Sequence, residues 1–315
     1  MSGRGSRAAG GNPDVPSSRA SRVDVVKAIR LAGYPLEQRV AQVLENASFT
    51  PMPSWTWWDE RREVERELDV AGERMLMSAD LAVAVHVLAE CKRFSNGIVM
   101  FESDLSDTPL LIGELLGEAH YWGQPAAVES DTGPGFGIGF PSVDVFRWFD
   151  AGWPMGEAVA YQYGVMQFRK NLPKDYHPWT LDNEEAHASI DGLCRALLSY
   201  REEFGVVAPG VTIPYLNFAA LVVVVEGPLY VHRSPRPGKR ASTRRVQRAT
   251  YFRRGFTSKG ERVAFRVDFI QESGFRKFVE GLRDTTASML STAEKLKARL
   301  ERSVEAFGHT RVRST

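Results

Sequence analysis

The chain has 315 residues, of which 43% are hydrophobic and 25% charged, enough apolar material for a large core and too much for a disordered protein. Its formal net charge of +1 excludes a uniformly basic or acidic binding surface, so a charged partner would have to be met by local concentrations of charge. Two cysteines, Cys91 and Cys194, are too few for a disulfide framework or a zinc site, and the longest apolar run, residues 218–225, is far shorter than the roughly 20 residues of a membrane span. A cytoplasmic protein without membrane contact is the expectation.

Residues 1–22 are Gly, Ser, Ala and Arg with almost no large apolar side chain, which predicts a disordered basic tail. From Pro35, the apolar residues Leu36, Val40, Val43 and Leu44 recur at helical spacing, with Glu37 near the start of the helix. Residues 54–58 are aromatic and extended in character, and the DERR that follows reads as a turn. In the next strand, alternation sets Glu65, Glu67 and Asp69 on one face and Val64, Leu68 and Val70 on the other. Glu65 and Glu67 are read as solvated, or paired with Arg61, Arg62 and Arg66.

A turn centred near Ala79 would return the chain antiparallel through residues 81–92, placing Asp69 almost opposite Ala89 and Glu90. Leu81, Val83, Val85, Val87 and Cys91 should then make a core face, and Ala82, Ala84, His86, Leu88, Glu90 and Lys92 the other face. The hairpin would gather two carboxylates and an ammonium on one side of a sheet. His86 shares that side and is read as a satisfied structural residue.

Residues 105–179 are rich in Gly, Pro and aromatics and read as an insertion with one helix near 154–169; the glycine series 133–140 lacks a following Lys-Ser/Thr and reads as a loop, not a phosphate cradle. Asp182, with Glu185 three residues on, looks like the cap of a helix carrying Ile190, Leu193, Leu197 and Leu198. FAALVVVVEGPLYVHR reads as a buried strand, a Gly-Pro turn and a second strand, and RVAFRVDFIQ as a further strand. Between these strands, residues 233–260 hold ten lysines and arginines and no acidic residue, and they are read as a basic loop. A phosphate backbone is the natural counterpart, with Arg240, Arg244, Arg245 and Arg248 as candidate nucleic-acid-binding residues. An amphipathic helix over 276–308 completes the chain.

Two carboxylates on adjacent strands can share a hard divalent cation, which keeps several waters and phosphate oxygens as its remaining partners. A lysine two residues beyond the second carboxylate can orient or deprotonate a water, or offset charge developing on phosphate. The order helix with Glu37, strand, strand with RELDV, strand with AECK, helix, strand with VVVVEG resembles the PD-(D/E)xK superfamily, the restriction-endonuclease-like nucleases with an αβββαβ core. RELDV looks most like the motif of the Mrr-like and archaeal-resolvase-like branches. Leu68 stands where a leading proline is usual, and the gap from Asp69 to Glu90 is longer than in compact members.

The resemblance implies an α/β fold with a mixed central sheet, a first core part over 23–104, a second over 180–275, and the insertion between them. It implies Asp69 and Glu90 as metal ligands for Mg²⁺ or Mn²⁺, Lys92 as the water-orienting catalytic lysine, and Glu37 as the helix carboxylate completing the catalytic set. DNA is the expected substrate, and a homodimer would suit double-strand cleavage by a single-site enzyme. Two other readings remain: a nucleic-acid-binding module of the same fold without catalysis, and a scaffold whose acidic face and basic loop bind proteins. Metal titration separates them, since only a nuclease site should take up Mn²⁺ or Mg²⁺ through these carboxylates.

Overall fold

The computed structural model describes residues 20–31, 33–59, 62–78, 82–102, 120–124, 129–130, 133–134, 158–170, 177–204, 215–235, 240–256 and 262–311. The predicted tail thus lies almost wholly outside the described residues, as does most of 105–157. Helices α1 (Arg22–Leu31) and α2 (Tyr34–Asn46) lead into strands β1 (Thr50–Asp59), β2 (Val64–Met77), β3 (Ala82–Arg93) and β4 (Ile98–Glu102). Short strands β5 (Tyr121–Gln124), β6 (Glu129–Ser130) and β7 (Gly133–Pro134) come next, then β8 (Val159–Phe168), β9 (Trp179–Asp182) and helix α3 (Glu184–Phe204). The chain continues through β10 (Tyr215–Glu226), β11 (Leu229–Arg233), β12 (Ser242–Arg245), β13 (Arg248–Phe256), β14 (Arg262–Gln271) and helix α4 (Glu272–Arg311).

The architecture is α/β, organised on one mixed twelve-stranded sheet whose main path runs β1-β2-β3-β10-β14-β13-β8-β4-β11-β12. β1, β2 and β3 form an antiparallel meander, and β10 lies parallel to β3 over its full length, from Tyr215 opposite Ala82 to Glu226 opposite Arg93. A parallel neighbour needs a crossover connection, and α3 lies on that crossover. β3 runs on into β4 and β10 into β11 through two turns bonded to each other, with Phe94 N donating to Glu226 O and Ile98 N to Pro228 O. Gly227, at φ 148°, makes this crossing possible, because a Cβ there would lie 2.1 Å from Phe94 O.

Two apolar cores result, one on each side of β3 and β10. On one side, α3 contributes Ile190, Leu193, Leu197 and Tyr200 to a core with Leu88, Leu221 and Val223, which β4, β8 and β11 also cover. On the other side, α2 and α4 bring Leu36, Val40, Leu44, Phe275 and Leu282 against Val83, Val85, Val87, Val222 and Val224. α2 approaches closely because Gly72 lies beneath it, where a Cβ would meet Leu44 Cδ1 at 2.9 Å.

Four expectations need correction. The division of 81–92 into a core face and an outer face does not hold, since Ala82 through Ala89 are all buried and each face has its own core. Leu68 and Val70 point into opposite cores, not to one side. The predicted helix at 154–169 is the strand β8, paired with β4 and β13; with β5 and β9, it brings parts of 105–182 into the main sheet. The stretch 233–260 is not simply a loop, for it includes β12 and β13, the latter paired along its whole length with β14.

Candidate active site

The β2–β3 ladder runs unbroken from Met77 opposite Ala82 to Val70 opposite Ala89, and there it stops. The next step would pair Asp69 with Glu90. Instead, the Asp69 carboxylate takes over the bonding, accepting the Cys91 backbone N–H at Oδ2 over 2.6 Å. Lys92 Nζ lies 2.7 Å from Glu90 Oε2 and 3.5 Å from Asp69 Oδ2, so the ammonium bridges the two carboxylates. The sequence therefore correctly brings Asp69, Glu90 and Lys92 together.

How Asp69 comes to reach across is a matter of backbone phase. Met52 pairs with Ala71 and Trp55 with Leu68, and all four belong to the core under α3 although they lie three residues apart along each strand. Strict alternation allows only even separations on one face. Both strands therefore slip by one residue, at Asp69 in β2 and at Ser54 in β1, where the backbone takes the left-handed φ of 53°. The slip falls at the residue whose carboxylate leaves the ladder.

Burial and crowding set the electrostatics. The Glu90 carboxyl is pushed up chiefly by burial, with Asp69 adding repulsion and Lys92 opposing it. For Lys92 burial works against the charge, yet Glu90 and Asp69 outweigh it and hold the ammonium well above its ordinary range. Glu37, in the first turn of α2, feels the same cluster from the other side: burial raises its carboxyl first, then Asp69 and Glu67, while Lys92 lowers it. Cys91, between the two site residues, is a thiol pushed up by burial and by Asp69 and Glu37. It packs against the α2–α4 core as a small apolar group.

A cleft of about 260 Å³ opens from Glu90 and Lys92 toward α3, lined by Trp57, Arg66 and Glu67 from the meander and by Glu185, Ser189 and Gly192 from the helix. Sequence reasoning assigned none of these six to a site. In sequence Glu67 reads as one of the solvated acids and Glu185 as part of a helix cap. Arg66 pairs not with a neighbouring glutamate but with buried Asp59, 3.5 Å away, and lies over the Trp57 ring with its Cζ 6.0 Å from the centroid. Only the packing of α3 against β1 brings these groups together.

Among the described residues no group of three or more His, Cys, Asp or Glu forms a metal cage. The donor set does suit a hard cation of the magnesium type, which takes one or two carboxylates and fills the rest of its shell with water and phosphate oxygens, for which the cleft leaves room. Asp69 and Glu90 would be the donors. His86 stands apart: its ring is buried, with Nε2 3.1 Å from Asn217 Oδ1 and Nδ1 3.0 Å from the Tyr200 hydroxyl, a satisfied core residue.

The candidate nucleic-acid residues lie elsewhere. β12, which carries Arg244 and Arg245, is at the opposite end of the strand path from β1 and β2. Arg240, Arg244 and Arg245 are exposed, while Arg248 has its Cζ over the Phe278 ring at 5.2 Å. Part of the basic stretch is neutralised locally, since Arg233 makes a two-pronged pair with Glu102 and Arg244 lies 3.9 Å from the same carboxylate. No helix among the described residues is long and apolar enough to cross a membrane. Comparisons of the chain with protein-family models, with curated proteins and with solved structures return no match.

Proposed function

We propose that this chain is a divalent-cation-dependent nuclease of the restriction-endonuclease-like PD-(D/E)xK type, acting on DNA. The observation that carries the reading is the meeting of Asp69, Glu90 and Lys92 where the β2–β3 ladder ends. Supporting it is the order α2, β1, β2, β3, α3, β10 with β10 parallel to β3, which follows the αβββαβ order of such cores; the remaining strands, β6 and β7 apart, extend that sheet. Glu37 approaches the cluster from α2, as a helix carboxylate of such a site would.

A cation held by Asp69 and Glu90 would polarise the phosphate and make a bound water more acidic. The protein's own part is positional and electrostatic. Lys92, whose ammonium lies against both carboxylates, would orient the attacking water and offset charge developing on the phosphate. The Cys91 N–H fixes the Asp69 oxygen, Oδ2, that also faces Lys92.

The test is cleavage of plasmid and linear DNA by purified protein with Mg²⁺ or Mn²⁺, alongside calorimetric metal titration. Metal uptake that disappears in Asp69→Ala and Glu90→Ala, with cleavage lost in both, is the expected result. Cleavage near the wild-type rate by folded Lys92→Ala would overturn the assignment.

A further inference from the structure

Arg66 is one end of a chain of alternating charges running under α3. Its NH1 lies 3.5 Å from Asp59 Oδ2, and the same oxygen already accepts a bond from Arg195 NH1 at 2.7 Å. Arg195 NH2 lies 2.6 Å from Asp191 Oδ2, and Arg253 NH2 donates to Asp191 Oδ1 at 2.7 Å. Along this chain three guanidinium groups share two carboxylates, and the cleft that Arg66 faces is also lined by Glu67, Glu90 and Glu185. Arg195, between the two carboxylates, and Arg253, at the far end, make the short bonds, whereas Arg66 keeps the longest contact and faces the cleft beside Lys92.

Its surroundings prepare it for an anion. Asp59 is 1% exposed and cannot swing away, and the Trp57 ring supports one face of the guanidinium. Lys92, the other cation lining the cleft, is already bridging two carboxylates. Opposite, the cleft wall at Gly192 is open: a Cβ there would meet nothing within 4 Å. A glycine inside a 21-residue helix costs stability relative to alanine, so nothing in the packing calls for it. What it preserves is space beside Arg66.

We propose that Arg66 is the phosphate-binding residue of this cleft, engaging a backbone phosphate of the nucleic-acid strand next to the one that Lys92 and the two carboxylates act on, with Gly192 keeping the approach open. The assignment rests on the nuclease reading for the identity of the ligand, and on the charge chain alone for the location of the anion site. A guanidinium suits this role because its planar fork meets two phosphate oxygens at once.

The test is anisotropy of a fluorescein-labelled DNA oligonucleotide, single- and double-stranded, across a salt series in EDTA, with cleavage kinetics in Mg²⁺ alongside. Arg66→Gln should weaken binding about tenfold and reduce the slope of log affinity against log salt by about 0.9 on duplex or about 0.7 on single strands. Arg66→Lys should restore the slope but only part of the affinity, because a point charge cannot replace the fork. Gly192→Leu should raise KM about tenfold or more, and Gly192→Ala, whose Cβ meets nothing within 4 Å, should leave the thermal midpoint at or above that of the wild type. Wild-type affinity and salt slope in folded Arg66→Gln would overturn the proposal while leaving the nuclease reading intact. A protein that binds DNA through Arg66 yet never cleaves it would overturn the nuclease reading alone, and a wild type that binds no DNA would overturn both.

Discussion

The two ends of the β2–β3 hairpin share one pair of strands and do opposite things. From Val70 to Met77 every residue of β2 has a partner in β3, both faces of β3 from Ala82 to Ala89 are covered by core, and His86, 4.0 Å from Glu73, is bonded to Tyr200 and Asn217. Beyond Val70 the ladder stops, the alternation of β2 slips, and carboxylates replace backbone groups as the bonding partners. The laddered end supplies rigidity, and the open end spends it on holding like charges close together. Such repulsion is tolerated only where the surrounding structure over-determines the geometry.

Substitutions at the two ends should separate activity from stability. Lys92→Ala is expected to have the largest effect, a loss of cleavage on the order of a thousandfold, in line with removal of a pre-organised charge from a transition state. Its urea midpoint should stay close to that of the wild type, because the side chain lies outside both cores. At the laddered end Leu88→Ala should do the reverse, costing about 2–5 kcal/mol of stability through the cavity it leaves in the core under α3, with kcat per folded molecule unchanged. Equal losses of both quantities in both variants would mean that the two ends do not divide the work in this way.

Acidity probes the laddered end through His86. Burial pushes its imidazole down to about 4, with the Asn217 bond acting weakly the other way, so the unfolded chain takes up a proton near 6.5 that the folded protein refuses until about 4. The folded value lies below the unfolded one. This contribution is therefore fully present above about pH 6.5 and is lost as pH falls toward 4, to the extent of about 3 kcal/mol. Glu73, 4.0 Å away and raised by burial, gains its proton more readily in the folded state and opposes the loss at the acid end of the window. Chemical denaturation of His86→Gln and wild type at several pH values isolates the histidine. A wild-type stability flat from pH 7 to pH 4.5, unchanged relative to the variant, would refute it.

Much of the hairpin was legible, because AECK ends an apolar strand and the turn fixes the register, so that Asp69, Glu90 and Lys92 could be brought together by counting. The assignment of faces failed for a physical reason. A strand covered on both sides carries apolar residues at every position, and period two then distinguishes nothing. The slip at Ser54 and Asp69 is a backbone event with no side-chain signature. β8 was misread as a helix although Tyr161, Tyr163 and Val165 favour a strand, because its partners β4 and β13 lie far away in the chain. Arg66 was unreadable as a site residue for a similar reason: what makes it one is Arg195, 129 positions on, competing for Asp59. The start of α3 was legible to within a residue: Asp182 Oδ1 accepts the Glu184 N–H at 3.0 Å, but Asp182 closes β9 and the first helical carbonyl is that of Asn183, which accepts the His187 N–H.

The contrast between absorbed and presented charge recurs within the basic stretch, and there the expected effects are smallest. Arg248, its guanidinium over Phe278, is part of the attachment of α4 to β13, whereas exposed Arg240 and Arg245 point charge outward from the sheet edge. If DNA runs along that edge, Arg245→Gln and Arg240→Gln should each flatten the salt slope by at most about 0.9 and weaken binding to all sequences alike. Arg248→Gln should leave the slope unchanged and instead cost about 0.5–1 kcal/mol of stability, the usual worth of a cation resting on a ring near the surface. Binding isotherms at several salt concentrations, paired with urea midpoints for each variant, distinguish the two behaviours. A slope change in Arg248→Gln as large as in Arg245→Gln would mean that the ring contact yields to phosphate and that this edge acts as one surface. No change in any of the three would confine nucleic-acid contact to the cleft beside Lys92, since charge merely displayed to solvent releases no counterions when DNA binds elsewhere.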